Sequence, residues 1–276
     1  MNALLAGVGW LDLGATATLA GGLVYGRLVA EPSAAGARAL RVAAGFLVLM
    51  LLAEFTLTAL RMRAVAEMGT AAVLADLPAT RWGRLWMVRM LGLGIMAMAL
   101  RVPRPSWSLL APLGAVWLLT RSFQGHAGAH GTLPAVIDWA HLLAGSAWLG
   151  GLVQLELAPD DPTPHVALRV RALATAALAL VIPAGIYAAF LHVPSLDRLF
   201  DTPYGRSLLV KLVLVAVLLG LGAMNHFRHV PSLVGGRTGA GSELRRTVRI
   251  EVMLGAVVLL LSALLGVLPM PHEFQP

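Results

Sequence analysis

Long apolar runs alternate with short polar punctuation along the whole chain. Eight runs of roughly 18 to 24 residues, at about 8–29, 40–61, 84–101, 107–124, 134–157, 169–192, 206–226 and 248–268, can each cross a hydrocarbon core about 30 Å thick. Pro32, Pro103, Pro105, Pro134, Pro159, Pro203 and Pro269 fall near or between the run ends, where helix punctuation is expected. Two prolines lie inside runs. Pro112 sits early in the fourth, and Pro183 sits mid-way along the sixth with Gly185 beside it. Pro183 lacks an N–H and crowds the carbonyl four residues back, so a kink is expected there. The pattern predicts an all-α integral membrane protein of about eight transmembrane helices, forming a single membrane domain over residues 1–276.

Composition supports that reading. Of 276 residues, 58% are hydrophobic and 13% charged, with a mean hydropathy of +0.78. A soluble domain spends about a quarter of its residues on charge, so lipid is the expected solvent for most of this surface. The net charge of +7 does not indicate nucleic acid, because the basic residues punctuate apolar runs as topology determinants do. Without cysteine there is no disulfide, thiolate metal site or CxxC pair. The first residues lack the basic n-region of a cleaved signal peptide, and Met1 onward reads as mature protein. No P-loop lysine motif is present, and Gly92-x-Gly94 and Gly220-x-Gly222 follow no strand, so they read as helix-packing glycines. The chain reads as a non-enzyme.

Arginine and lysine positions set an expected orientation. The first–second, third–fourth, fifth–sixth and seventh–eighth connections carry 12 of them, the opposite connections 7, and Arg89 and Lys211 lie inside runs. The bias places both termini outside, in the periplasm of a Gram-negative host. An internal echo accompanies it: Thr80-Arg-Trp-Gly-Arg-Leu-Trp-Met-Val-Arg89 and Thr202-Pro-Tyr-Gly-Arg-Ser-Leu-Leu-Val-Lys211 open the third and seventh runs, and Gly21-Gly-Leu-Val24 returns as Gly150-Gly-Leu-Val153. Two parallel four-helix repeats, meeting in the loop near residue 130, would produce this because four spans return the chain to its starting side.

On that topology five of the eight histidines gather at the outer face: His126 and His130 in a glycine-rich loop, His141 about two turns into the fifth run, His192 ending the sixth, and His272 in the tail. Imidazole suits copper, zinc, iron and nickel. His141 is the sharpest candidate, since an ionisable group within the bilayer is costly and faces the bundle interior or a cavity; Gly145 and Trp148 share its helix face. His126 and His130 read either as metal or haem contacts or as ordinary loop residues, His192 as a ligand or an interfacial cap, His272 as a ligand or a solvated side chain. Met62, Met68 and Met270 fall near the outer side, where a thioether could serve Cu(I), although membrane methionines are usually packing. Glu54 is either on a cation path or paired with Arg61 or Arg89. Asp12 and Asp138 read as caps or cation attractors.

The stretch Thr120-Arg-Ser-Phe-Gln-Gly-His126-Ala, followed by Asp138-Trp-Ala-His141-Leu-Leu-Ala-Gly-Ser-Ala-Trp148-Leu-Gly-Gly-Leu152, resembles the CopD/PcoD copper-resistance membrane proteins. Thr80-Arg-Trp-Gly-Arg-Leu-Trp and Tyr204-Gly-Arg-Ser-Leu-Leu-Val-Lys-Leu resemble them too, so the likeness covers most of residues 80–226. The resemblance implies a bacterial inner-membrane protein that moves copper ions from periplasm to cytoplasm, often with a periplasmic copper-binding CopC-type protein, here a separate chain. By motif it reaches His126 and His141; His130, His192, His272 and Met270 rest on topology alone. Two alternatives stand beside copper transport: a haem-holding cytochrome b-like bundle, which needs a second histidine at the depth of His141, and a copper sensor or assembly factor that transports nothing.

Overall fold

The computed structural model describes residues 2–66, 70–124, 126–192 and 197–268. Among these residues every regular element is helical: α1 Asn2–Leu28, α2 Ala34–Ala66, α3 Thr70–Asp76, α4 Arg81–Ala99, α5 Trp107–Gln124, α6 His126–Ala129, α7 Thr132–Glu156, α8 Pro164–His192, α9 Asp197–Asp201, α10 Pro203–Met224, α11 Val230–Val234 and α12 Ala240–Leu265. A π-helical turn, Asn225–His229, joins α10 to α11 without a break in the rod. The protein is an all-α membrane protein. Among the described residues six helices are long and apolar enough to cross a bilayer, within α1, α2, α7, α8, α10–α11 and α12. The third and fourth expected runs form α4 and α5, with 19 and 18 residues; they pack into the same bundle but are not among those six. Several helices exceed their apolar runs, because α2 and α8 carry their helical pattern into the polar residues at each end. Pro183 is accommodated inside α8 and Pro112 inside α5.

The sequence explains where helices begin. Thr80 and Thr202 sit in extended backbone before α4 and α10, and each hydroxyl accepts a hydrogen bond from the amide three residues on, Gly83 at 2.9 Å and Gly205 at 3.0 Å. A threonine cap satisfies one of the four amides a helix start leaves open. The arginines that follow repeat the match: Arg84 donates back to the Ala79 carbonyl and Arg206 to the Phe200 carbonyl. The two echoed segments therefore fold the same way. Before α12, Gly239 holds φ at 79°, a left-handed conformation that glycine adopts without steric cost.

Helix packing follows a two-fold plan. In the first half α1 packs on α2 and α5, and α4 on α5; in the second α7 packs on α8 and α12, and α10 on α12. Across the halves, α1 meets α12 as α7 meets α5. At the centre α1 and α7 lie side by side in the same direction, since Ser33 just beyond α1 donates to the Leu157 carbonyl just beyond α7 at 2.9 Å. Their crossing is glycine on glycine. A Cβ on Gly21 would run into the Ser146 carbonyl and Gly150 Cα, and one on Gly150 would meet the Ala17 carbonyl and Gly21 Cα. Small residues let membrane helices approach closely enough for backbone dispersion to replace the missing hydrophobic drive. Buried Leu19, Leu23, Leu40, Leu47, Leu93 and Met96 fill the first half. One pairing departs from the plan. α2 packs on α4, whereas α8 and α10 make next to no direct contact.

Candidate functional site

Below, the end of the bundle where α1 begins is called upper. Arg89 and Lys211 stand eight residues into α4 and α10, and His141 nine into α7, so all three lie roughly 12–14 Å below the upper helix starts. Asp12 on α1 belongs to the same layer. A polar stratum thus crosses both halves within the upper part of the bundle.

In the first half the charges of the stratum are paired, although Arg89 Nε and Gln124 Nε2 are buried without a hydrogen-bond partner. Asp12 and Arg121 form an ion pair, and Arg121 also donates to Thr16 Oγ1 at 3.0 Å. Arg89, only 6% exposed, donates to Gln124 Oε1 and lies 3.4 Å from Glu54 Oε2. Of the two partners expected for Glu54, the structure pairs it with Arg89. Charges removed from water are tolerable when each has a counter-charge. Trp86 and Trp139 add indole donors to the Leu51 and Ala115 carbonyls, both at 2.8 Å.

The second half is different. The His141 ring lies against α8 at Gly185, where an added Cβ would stand 3.4 Å from Cε1 and 3.8 Å from Nδ1. The glycine is what admits the ring. The ring hydrogen-bonds the Val181 backbone and lies in the fields of Lys211 and Asp138, while its Nδ1 is buried with no hydrogen-bond partner. Buried polar atoms are nearly always paired, and a bare imidazole nitrogen is a ready ligand for a borderline or soft metal ion.

His130 does not reach it. His130 is exposed at the bend after α6, its amide donating to the Ala127 carbonyl at 3.1 Å. From the start of α7 to His141 is nine residues, about 14 Å along the axis against a metal–nitrogen bond of about 2 Å, so His130 and His141 are not brought together. His126 opens α6 and His192 closes α8; their side chains, and the whole of Met270 and His272, lie outside the described residues, as does Met68. Met62 is half-buried in α2. Among the described residues no group of three or more histidines and carboxylates is close enough to hold a metal ion.

Sequence reasoning missed a second polar spot. A cavity of about 510 Å3 fills the gap between α8 and α10, from Trp148 and Val181 near His141 down to Asn225, His226 and Glu251 in the lower half. Glu251 is 2% exposed, and its Oε1 accepts from Asn225 Nδ2 at 2.7 Å. The sequence signal was the spacing of Glu251 two residues beyond Arg249 at the start of an apolar run, which resembles a headgroup-level charge more than a buried one.

Comparisons with known proteins agree with the sequence resemblance. The family described as "Copper resistance protein D-like, N-terminal domain" matches residues 1–136, and that described as "Copper resistance protein D" matches residues 165–265. The chain is 33% identical over 169 residues to a copper transport protein, CutJ, of Bacillus subtilis, covering 58% of this chain and 30% of that protein. It is 28% identical over 213 residues to copper resistance protein D of Pseudomonas syringae, covering 68% and 69%. The chain thus spans under a third of the first relative's length. No solved structure matches. With both halves matched and the helical bundle in place, the chain belongs to the copper resistance protein D family.

Proposed function

We propose that this protein moves copper ions across a bacterial plasma membrane from the outer side inward, with His141 as the ligand inside the bundle. The observation that carries the reading is the buried, unpartnered Nδ1 of His141 beside a glycine-made gap, in a chain of a copper-resistance family. The upper end is the outer side on the arginine bias, which puts both termini outside. Copper would reach the layer through the short α6–α7 connection, where His126 and His130 could pass it on in relay rather than in one shared site. Delivery by a separate CopC-like copper-binding protein fits this upper face. No bond-making chemistry is required, only exchange of ligands. The haem alternative gains nothing from the geometry, because no described histidine faces His141 across the bundle at matched depth.

Copper accumulation in cells carrying His141→Ala, with insertion verified by membrane fractionation, tests the proposal. The expected result is uptake reduced at least tenfold towards the level of cells lacking the protein. Normal uptake in a normally inserted variant would overturn it, and a Soret band in the purified protein would favour haem.

A further inference from the structure

Glu251 and Asn225 lie at the lower end of the cavity whose upper end reaches the Val181 and Trp148 neighbourhood of His141. Three features of this lower end need an explanation. A carboxyl group that is 2% exposed has no ion-pair partner among the described residues and is held by one neutral amide. The amide's own oxygen, Asn225 Oδ1, is buried and accepts from nothing. The backbone there departs from α geometry, since Asn225 begins the π turn Asn225–His229, and such turns recur at functional sites.

A proton explains the first two. Placed on Glu251, it removes an uncompensated charge from an apolar wall, and it creates the O–H donor that Asn225 Oδ1 lacks, so that amide and acid each give one hydrogen bond and accept one. Copper fits less well. Both atoms on offer are oxygens, whereas Cu(I) favours sulfur and imidazole. The other charged or titratable groups lining the cavity are Arg171 from α8 and His226 from the π turn; α7 contributes none. His226 is engaged at its Nδ1 with Thr175 Oγ1, 3.5 Å away.

We propose that Glu251 and Asn225 form a proton-binding site at the lower end of the cavity, taking up and releasing one proton as the carboxylate and the acid interconvert. Resting on the copper reading above, the cavity then runs from Val181, whose backbone hydrogen-bonds the proposed copper ligand, to a proton acceptor at its other end. Compensating movement of positive charge is thereby built into the second half of the bundle.

Infrared difference spectroscopy on the purified full chain, without copper, tests the site directly by comparing acidic and alkaline pH. The wild type should show the C=O stretch of a protonated carboxylic acid that disappears in Glu251→Gln, which keeps the shape and the bond from Asn225. Glu251→Asp should retain a shifted band, and Asn225→Ala should shift it by removing the amide. A wild-type band that survives in Glu251→Gln, or no acid band at any pH, would overturn the proposal. So would loss of a bound copper equivalent in Glu251→Gln with His141 intact, since the site would then take copper itself. Failure of the wild type to move copper in liposomes would sink the transport reading and leave the infrared result to judge the proton site.

Discussion

The two halves of the bundle use one plan to different ends. Each has a threonine-capped helix bearing a basic residue eight positions in, and a glycine-faced helix with a polar residue at the same level: Arg89 with Asp12 in the first half, Lys211 with His141 in the second. In the first half the polar groups bind one another, and α2 closes on α4. In the second the equivalent helices stay apart, Nδ1 of the imidazole has no partner, and the lower carboxyl has no counter-charge among the described residues. Buried charges that have counter-charges can brace a fold, while polar groups left without partners cost stability and are kept where they do chemistry. The first half therefore reads as the brace and the second as the working part.

The largest expected effect lies where the halves meet. Gly150→Leu forces a side chain into the Ala17 carbonyl and Gly21, and should abolish recovery of monodisperse protein in fluorescence-detected size exclusion. Near-normal yield would mean that α1 and α7 can separate, and that the halves are less coupled than described. Next comes the brace. Asp12→Ala leaves Arg121 without its counter-charge in the membrane, for an expected loss of about 2 kcal/mol in thermal or denaturant unfolding; breaking fully dry pairs costs about 3–5 kcal/mol, and here each side chain keeps about a fifth of its exposure. The double variant Asp12→Asn/Arg121→Gln should recover most of it. A third measurement inverts the contrast: His141→Ala should change stability by less than about 1 kcal/mol while removing copper uptake. Equal losses of stability at Asp12 and His141 would erase the difference between the halves.

Much of this was readable beforehand, and the reasons differ by residue. The long helices follow from hydropathy because only helices satisfy every backbone group in lipid. The Thr80 and Thr202 caps were visible as an echo, since capping is local. Partners chosen by tertiary packing were not visible. Gln124 meets Arg89 from 35 positions away, and Asp12 meets Arg121 from 109, distances over which sequence carries no register. Glu251 and the π turn were hidden for a related reason. Arg245, Arg246 and Arg249 precede the carboxyl and disguise it as interfacial, and a single wide turn leaves no mark on an apolar periodicity. Counting loop histidines at one membrane face leaves out depth, which separates His130 from His141.

The smallest expected effect is at Glu54. Its side chain keeps 40% of its exposure, and Arg89 is also held by Gln124. Glu54→Gln should shift stability by less than about 0.5 kcal/mol and leave copper accumulation unchanged; a marked fall in uptake would bring the first half into the route and end its reading as a brace.

The glycine crossing has one more consequence. Gly21 touches Gly150, Gly21 faces the Ser146 carbonyl, and Gly150 faces the Ala17 carbonyl, so each side offers the other the same patch. That is the geometry of an isologous dimer, in which a surface matches itself across a two-fold axis. A lone four-helix unit bearing such a face already possesses its own mate. Tethering two of them leaves the seam unchanged and frees each copy to diverge behind it, one towards rigidity and one towards exchange.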